Sequence, residues 1–186
     1  SPLLDTTEKG WDALYRANLR HVFLCTQRVA RAMVKAKIGG SVTTVTSIEG
    51  VRAAPGYASY AAAKAGVINY TKTAALELAQ YGIRVIALGP DVTPTEGTMA
   101  IAPPGAEARF AFTIPMGRAG HVDEMAGAAV FLASDMASYI TGQTIHVDGG
   151  TQAASGWYVS APNAVGIANR SCNRAGNSHC WTLKTE

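Results

Sequence analysis

Tyr60 and Lys64 stand four positions apart in the alanine-rich stretch YASYAAAKAG, residues 57–66. On a helix that spacing puts both side chains on one face, with Cβ atoms about 5–6 Å apart. A free phenol, which titrates near pH ~10, is a poor acid or base at neutral pH. An ammonium held beside a phenol favours the phenolate. Such a pair can protonate a carbonyl oxygen or take a proton from a hydroxyl. It can equally be two ordinary helix-surface residues, and the surrounding elements have to decide.

Those elements read as alternating helix and strand. LLDTTEKGWDALYRANLRHVFLCTQRVARAMVKAK predicts one long helix entered through Asp5 to Thr7. Asp5 and Glu8 have capping-box spacing and suit the positive end of the helix dipole. Trp11, Leu14, Val22, Cys25, Val29 and Met33 form an apolar stripe along it, and Asn18 falls on the same stripe. An amide on a core face must find hydrogen-bond partners, so Asn18 is either a satisfied structural amide or a working one. Gly39 and Gly40 are expected to end the helix. Residues 41–46 have the β-branched richness of a strand covered on both faces.

Ser47 follows at the carboxyl end of that strand, the edge where open α/β sheets bind ligands. There it is either a turn former or a donor to a substrate oxygen whose charge is developing. Residues 57–82 predict a second long helix, closed by Gly82. Residues 83–88 predict an apolar strand stopped by Gly89-Pro90. Residues 91–117 have no clear period and imply a long excursion with one short helix. HVDEMAGAAVFLAS predicts a third helix, and QTIHVDGG a third strand. The order implies α/β with a parallel sheet, a partial Rossmann-like doubly wound arrangement. The expected domain is 1–156, with 157–186 an irregular tail.

Composition excludes several classes. The 186 residues are 48% hydrophobic and 16% charged, with 19 glycines, as in a globular domain. A net charge of +3, scattered through the chain, gives no nucleic-acid footprint. No apolar run is long enough to span a bilayer, and the first residues do not read as a secretory signal. Cys25, Cys172 and Cys180 make no disulfide framework, which fits a cytoplasmic location. Cys172, His179 and Cys180 match no familiar zinc spacing, so no metal is expected.

The motifs together go further than any one of them. WDALYRANLRHVFLCTQ, VTTVTSIEG, YASYAAAKAGV, TKTAALELAQYGIRV and the run from PMGRAGHVDEMAGAAVFLAS to TGQTIHVDGG succeed one another in order. Over residues 1 to about 156 the chain resembles the short-chain dehydrogenase/reductase family, with 3-oxoacyl-thioester (3-oxoacyl-ACP) reductases and sugar or polyol dehydrogenases nearest in character. The resemblance implies an NAD- or NADP-dependent oxidoreductase acting on a ketone/secondary alcohol pair. It also implies a catalytic tetrad of Asn18, Ser47, Tyr60 and Lys64. In that scheme Tyr60 exchanges the proton and Ser47 orients the substrate oxygen. Lys64 favours the phenolate and binds the nicotinamide ribose, and Asn18 holds a water.

On the cofactor side the resemblance adds Pro90, Asp91, Val92 and Thr95 to Tyr60 and Lys64, with Thr93 an open alternative to Thr95. Asp91 stands where the family has glycine and Ile86 where it often has asparagine, and Asp91 is expected to tolerate left-handed turn geometry. On the substrate side it adds Glu49, Gly56 and Tyr57 to Ser47, under a mostly apolar lid at 96–116. The family's G-x-x-x-G-x-G turn does not occur in these residues, nor does the residue that selects NAD or NADP. Two accounts are therefore open. One is the carboxyl-terminal, catalytic portion of a reductase; the other is a short non-enzymatic paralogue or subunit acting as an oligomerisation module. Either way the first strand should present an apolar unpaired edge, and a homodimer or homotetramer is expected through the long helices and the last helix and strand.

Overall fold

The computed structural model of the chain describes residues 1–101, 110, 112–154, 157–161 and 164–167. The single helix expected over 8–35 is two helices, α1 (Glu8–Tyr15) and α2 (His21–Ala36), joined by a π-helical turn at Arg16–Arg20. Thr7, not Asp5, caps α1, accepting the Gly10 N–H at 3.1 Å on its Oγ1, because it is the residue directly before the first turn. The wide turn holds an extra residue and shifts the helix phase. Past it the buried positions are Val22, Thr26 and Ala30, so Cys25 and Val29 of the expected stripe are exposed; Trp11 and Leu14 are exposed as well, on α1, which buries no residue.

Lys37 closes α2 in left-handed geometry (φ 56°), where Gly39 or Gly40 was expected. Gly39 serves a different need, since a Cβ there would lie 2.8 Å from the Gly82 carbonyl oxygen. The close pass lets β1 (Gly40–Val45) start beside β2 (Ile83–Pro90). Between them runs α3 (Ala58–Leu78), followed by a 3-10 turn that ends at left-handed Gly82, as expected. A short α4 (Glu96–Ile101), then α5 (Val122–Ala133), β3 (Thr144–Val147) and α6 (Thr151–Ala154) complete the unit. Of the expected lid, residues 102–109 and 111 lie outside the described residues.

The three strands are parallel in the order β1-β2-β3, from Gly40↔Ile83 to Val45↔Leu88 and from Ala87↔Thr144 to Pro90↔Val147. β2 is central and buried on both faces, which is why its sequence is an unbroken apolar run. Successive side chains point to opposite sides. Val85 packs with Ala74 and Ala75 of α3, while Ile86 and Leu88 pack with Leu132 of α5 and with Ala137. Arg84 donates to the Leu132 and Ser134 carbonyls at 2.9 and 3.1 Å, a cation at the carboxyl end of α5.

Among the described strands nothing flanks the outer side of β1, where Val45 is 53% exposed. The tail expected to be irregular contains an antiparallel pair, β4 (Trp157–Ala161) with β5 (Ala164–Ile167). Trp157, Tyr158, Val159, Val165 and Ile167 are the aromatic and β-branched types that strands favour. Cys172, His179 and Cys180 lie outside the described residues. Among the described residues no helix is long and apolar enough to cross a membrane.

Candidate active site

Hydroxyl groups and one amine fasten the end of β1 to α3. Thr44 Oγ1 lies 3.2 Å from Thr71 Oγ1, and Thr46 Oγ1 donates to the Lys64 carbonyl at 2.9 Å. Lys64 Nζ donates back to the Val45 carbonyl at 3.0 Å. Alternation explains the set: Thr44 and Thr46 face α3, and the Thr46 N–H bonds Leu88 in β2, so the Val45 carbonyl points to the open side. Lys64 supplies that carbonyl with a protein partner. Only 8% of Lys64 is exposed, and burial lowers its pKa from the ordinary value.

Ser47 is 8% exposed and opens the 3-10 turn Ile48–Gly50. Its Oγ accepts the Glu49 N–H at 3.2 Å, which leaves the hydroxyl hydrogen free to donate elsewhere. The turn lies flat on α3: a Cβ on Gly50 would meet the Lys64 carbonyl carbon at 2.9 Å and the Ala65 nitrogen at 3.0 Å. Tyr60, in the first turn of α3, has its ring centroid 5.5 Å from Lys64 Nζ. The exposed Tyr57 ring meets it edge-on at 6.5 Å. Gly56 precedes it with φ 84° and nothing near its missing Cβ.

Asn18 lies in the π-helical turn, which packs on α3 through Leu19 against Gly66. Its Nδ2 donates to the Leu14 carbonyl at 3.0 Å, and its Oδ1 carries no hydrogen bond among the described residues. Half of the amide is thus a structural group and half is available. Ser47, Lys64 and Tyr60 are brought together at the carboxyl edge of the sheet, with the turn of Asn18 on the same helix.

At the neighbouring strand exit, Pro90 ends β2. Asp91 does not adopt the left-handed geometry expected of it, since among the described residues Lys37 is the non-glycine residue with positive φ. It is turned inward instead, its side chain only 8% exposed. Burial raises its pKa; Thr151, Arg52 and the Val92 N–H oppose that, and Glu49 adds to it. Arg52 joins the two strand exits, donating to Glu49 Oε1 at 2.7 and 3.2 Å and lying 3.5 Å from Asp91 Oδ1. Val92 accepts the Gly120 N–H at 2.9 Å and lines a cavity of about 80 Å³ with Ile114, Met116 and Asp148. Thr93 stays at the strand exit, bonded to the Asp91 carbonyl at 3.3 Å. Thr95 is exposed and starts α4, exchanging hydrogen bonds with Thr98.

Sequence reasoning missed Thr46, Gly50 and Arg52. The alternation of threonines in VTTVTS carried a signal for Thr46; nothing in the sequence pointed to Arg52.

Residues 1–152 match the family model described as Enoyl-(Acyl carrier protein) reductase. The chain is 46% identical over 149 residues to a 3-oxoacyl-[acyl-carrier-protein] reductase of Synechocystis sp., covering 80% of this chain and 58% of that protein. It is 44% identical over 148 residues to the 3-oxoacyl-[acyl-carrier-protein] reductase of Thermotoga maritima, covering 80% and 59%. A crystal structure of a gluconate 5-dehydrogenase from Burkholderia cenocepacia, in complex with NADP and tartrate, superposes with a TM-score of 0.78 at 37% identity. That match covers 83% of this chain and 60% of the other. An acetoin dehydrogenase from Enterobacter cloacae superposes with a TM-score of 0.74 at 34% identity, covering 83% and 60%. The chain spans less than two thirds of the length of these relatives.

Proposed function

The chain belongs to the short-chain dehydrogenase/reductase family, and on that premise we propose that it carries the acid/base centre of an NAD- or NADP-dependent oxidoreductase interconverting a ketone and a secondary alcohol. The observation that carries this reading is the Tyr60 ring 5.5 Å from a buried Lys64 whose amine is bonded at the end of β1. Tyr60 gives the proton to the carbonyl oxygen, or takes it from the hydroxyl in the reverse direction. Ser47 donates its free hydroxyl hydrogen to the same oxygen as negative charge develops there. The free Oδ1 of Asn18 accepts from a water in the proton path.

The residues present fit the nicotinamide-ribose end of such a cofactor. Tyr60 and Lys64 offer donors to ribose hydroxyls, and Pro90, Asp91, Val92 and Thr93 or Thr95 form the neighbouring wall. A carboxylate on that wall is a poor companion for the ring only if fully charged and bare. Burial pushes Asp91 toward its neutral form, and the Arg52 guanidinium 3.5 Å away opposes that push only in part. The nicotinamide, when bound, supplies or accepts the hydride. Glu49, Gly56 and Tyr57 border the substrate beside Ser47.

The decisive experiment is Tyr60→Phe in the whole protein, which should lose at least about a hundredfold in kcat while binding NADH or NADPH as before. Turnover near the parent rate would refute the assignment.

A second reading, a subunit that works through its surfaces, has one observation in its favour. Trp11 and Leu14 on α1, Phe23 and Val29 on α2, Val130 on α5 and Met136 and Tyr139 just after it are exposed apolar side chains. Exposed apolar side chains of this kind are suited to second copies of the chain, and a homodimer or homotetramer is the assembly proposed under either reading. Sedimentation gives the assembly state. Fluorescence titration with NADH and NADPH separates the readings: micromolar binding supports the enzyme, and a stable oligomer that binds neither supports the subunit.

A further inference from the structure

The outer side of the Ser47 turn is held by charge where its inner side is held by packing. On the inner side Ile48 is fully buried and Gly50 lies against the α3 backbone at Lys64 and Ala65. On the outer side two carboxylates from different strand exits converge on one guanidinium nitrogen. Arg52 Nη2 is 2.7 Å from Glu49 Oε1 and 3.5 Å from Asp91 Oδ1, the second an ion pair rather than a short hydrogen bond. Glu49 is also the residue whose N–H donates to Ser47 Oγ at 3.2 Å. A movement of Glu49 therefore moves the hydrogen bond that orients the Ser47 hydroxyl.

We propose that Arg52 is a positioning residue for Ser47, clamping the turn that carries it to the exit of β2 through Glu49 and Asp91. The proposal rests on the reading of Ser47 as the donor to the substrate oxygen. Without Arg52, Glu49 and Asp91 lose the cation that lies between them. Glu49 raises the cost of charging Asp91, and among the described residues no other side-chain hydrogen bond or ion pair ties the turn to the exit of β2. Lysine at 52 keeps the charge but not the planar fork that reaches both carboxylates, so it restores the clamp in part. The device is particular to this chain's residue types, since it requires an acidic side chain at position 91.

Two measurements on the whole protein test the clamp. Amide hydrogen exchange of the peptide covering residues 46–53 should rise about tenfold in Arg52→Ala, with residues 58–78 and 83–90 unchanged. With acetoacetyl-coenzyme A and NADPH, kcat should fall roughly tenfold while KM and the NADPH dissociation constant stay within about twofold. Arg52→Lys should lie between parent and alanine variant in both, and Asp91→Asn should reproduce the rise in exchange. Should Arg52→Ala fail to fold, Arg52→Lys decides by the same readouts and Asp91→Asn by the exchange of residues 46–53. Parent-like exchange and kcat in Arg52→Ala overturn the proposal. So does a uniform loss of protection with weaker NADPH binding, which is a general structural role. The Tyr60→Phe variant separates the two levels: if it remains active, the reading of the site fails, and the exchange measurement still tests the clamp.

Discussion

The Thr46 hydroxyl donates to the main-chain carbonyl of Lys64 at 2.9 Å, so the strand that delivers Ser47 is bonded directly to the helix turn that delivers the amine. With the return bond from Lys64 Nζ to Val45, this fixes two catalytic candidates to each other through their supports rather than through themselves. Replacing Thr46 by valine keeps the shape and deletes the donor. Stability should fall by about 1 kcal/mol, the usual net worth of a neutral hydrogen bond. Turnover should fall further than that loss explains, roughly tenfold, because the strand end and helix are no longer tied. Urea denaturation and steady-state kinetics on one preparation give both numbers.

Gly50 is required by close approach rather than by backbone geometry. In Gly50→Ala the new methyl would press on backbone atoms of Lys64 and Ala65 at 2.9 and 3.0 Å, which cannot swing aside as a side-chain tip could. The expected cost is about 1–3 kcal/mol. Gly97→Ala is the control: nothing lies within 4 Å of its missing Cβ in the exposed helix α4, and alanine there should gain up to about 1 kcal/mol. Chemical denaturation of the two variants should give opposite signs.

The contrast between those glycines marks what the sequence discloses. Periodicity and punctuation made the alternating elements legible, because β2 is apolar for a reason visible in one dimension: it is covered on both faces. The positions of Tyr60, Lys64 and Ser47 were legible for a similar reason, as helix spacing and a strand end define a face and an edge. The π-helical turn at Arg16–Arg20 was not. It turns on a single inserted residue, and it moved the buried face of α2 to Val22, Thr26 and Ala30. Arg52 was illegible because its partners come from two strand exits that only the sheet brings together. Asp91 could be flagged as an unusual residue, but its inward turn toward Thr151 and Arg52 depends on packing that no local pattern records.

Lys64 should weaken the fold at neutral pH while serving the site. Burial lowers its pKa, so the folded protein releases the proton at a pH where the unfolded chain still holds it. The unfolded state then binds more protons, and stability rises with pH from the folded value up to the ordinary 10.5. Lys64→Met removes the amine, and the Val45 carbonyl sits on an open edge where water can replace it. The variant should therefore be inactive, at least as stable as the parent at pH ~7, and should lose that advantage toward pH ~10. Thermal midpoints across that range test the trend; a gap that widens with rising pH would contradict the stated burial of the charge.

Asp91 presents the acid counterpart, and its sign follows from the same linkage. Its folded pKa is raised from 3.8 chiefly by burial, so between 3.8 and the folded value the native state binds a proton that the unfolded chain has lost. The group's stabilising contribution is complete below 3.8 and is lost as pH rises through the folded value. At neutral pH the ionised carboxylate thus costs more in desolvation than Arg52, Thr151 and the Val92 N–H return. Asp91→Asn is close in shape and carries no charge to desolvate. It should raise the thermal midpoint at pH ~7, and the gain should shrink steadily as the pH is lowered toward ~4. If the same variant loses turnover, a residue that costs stability is being kept for what it does to the Ser47 turn. A variant less stable than the parent at neutral pH would mean that the ion pair with Arg52 outweighs the burial.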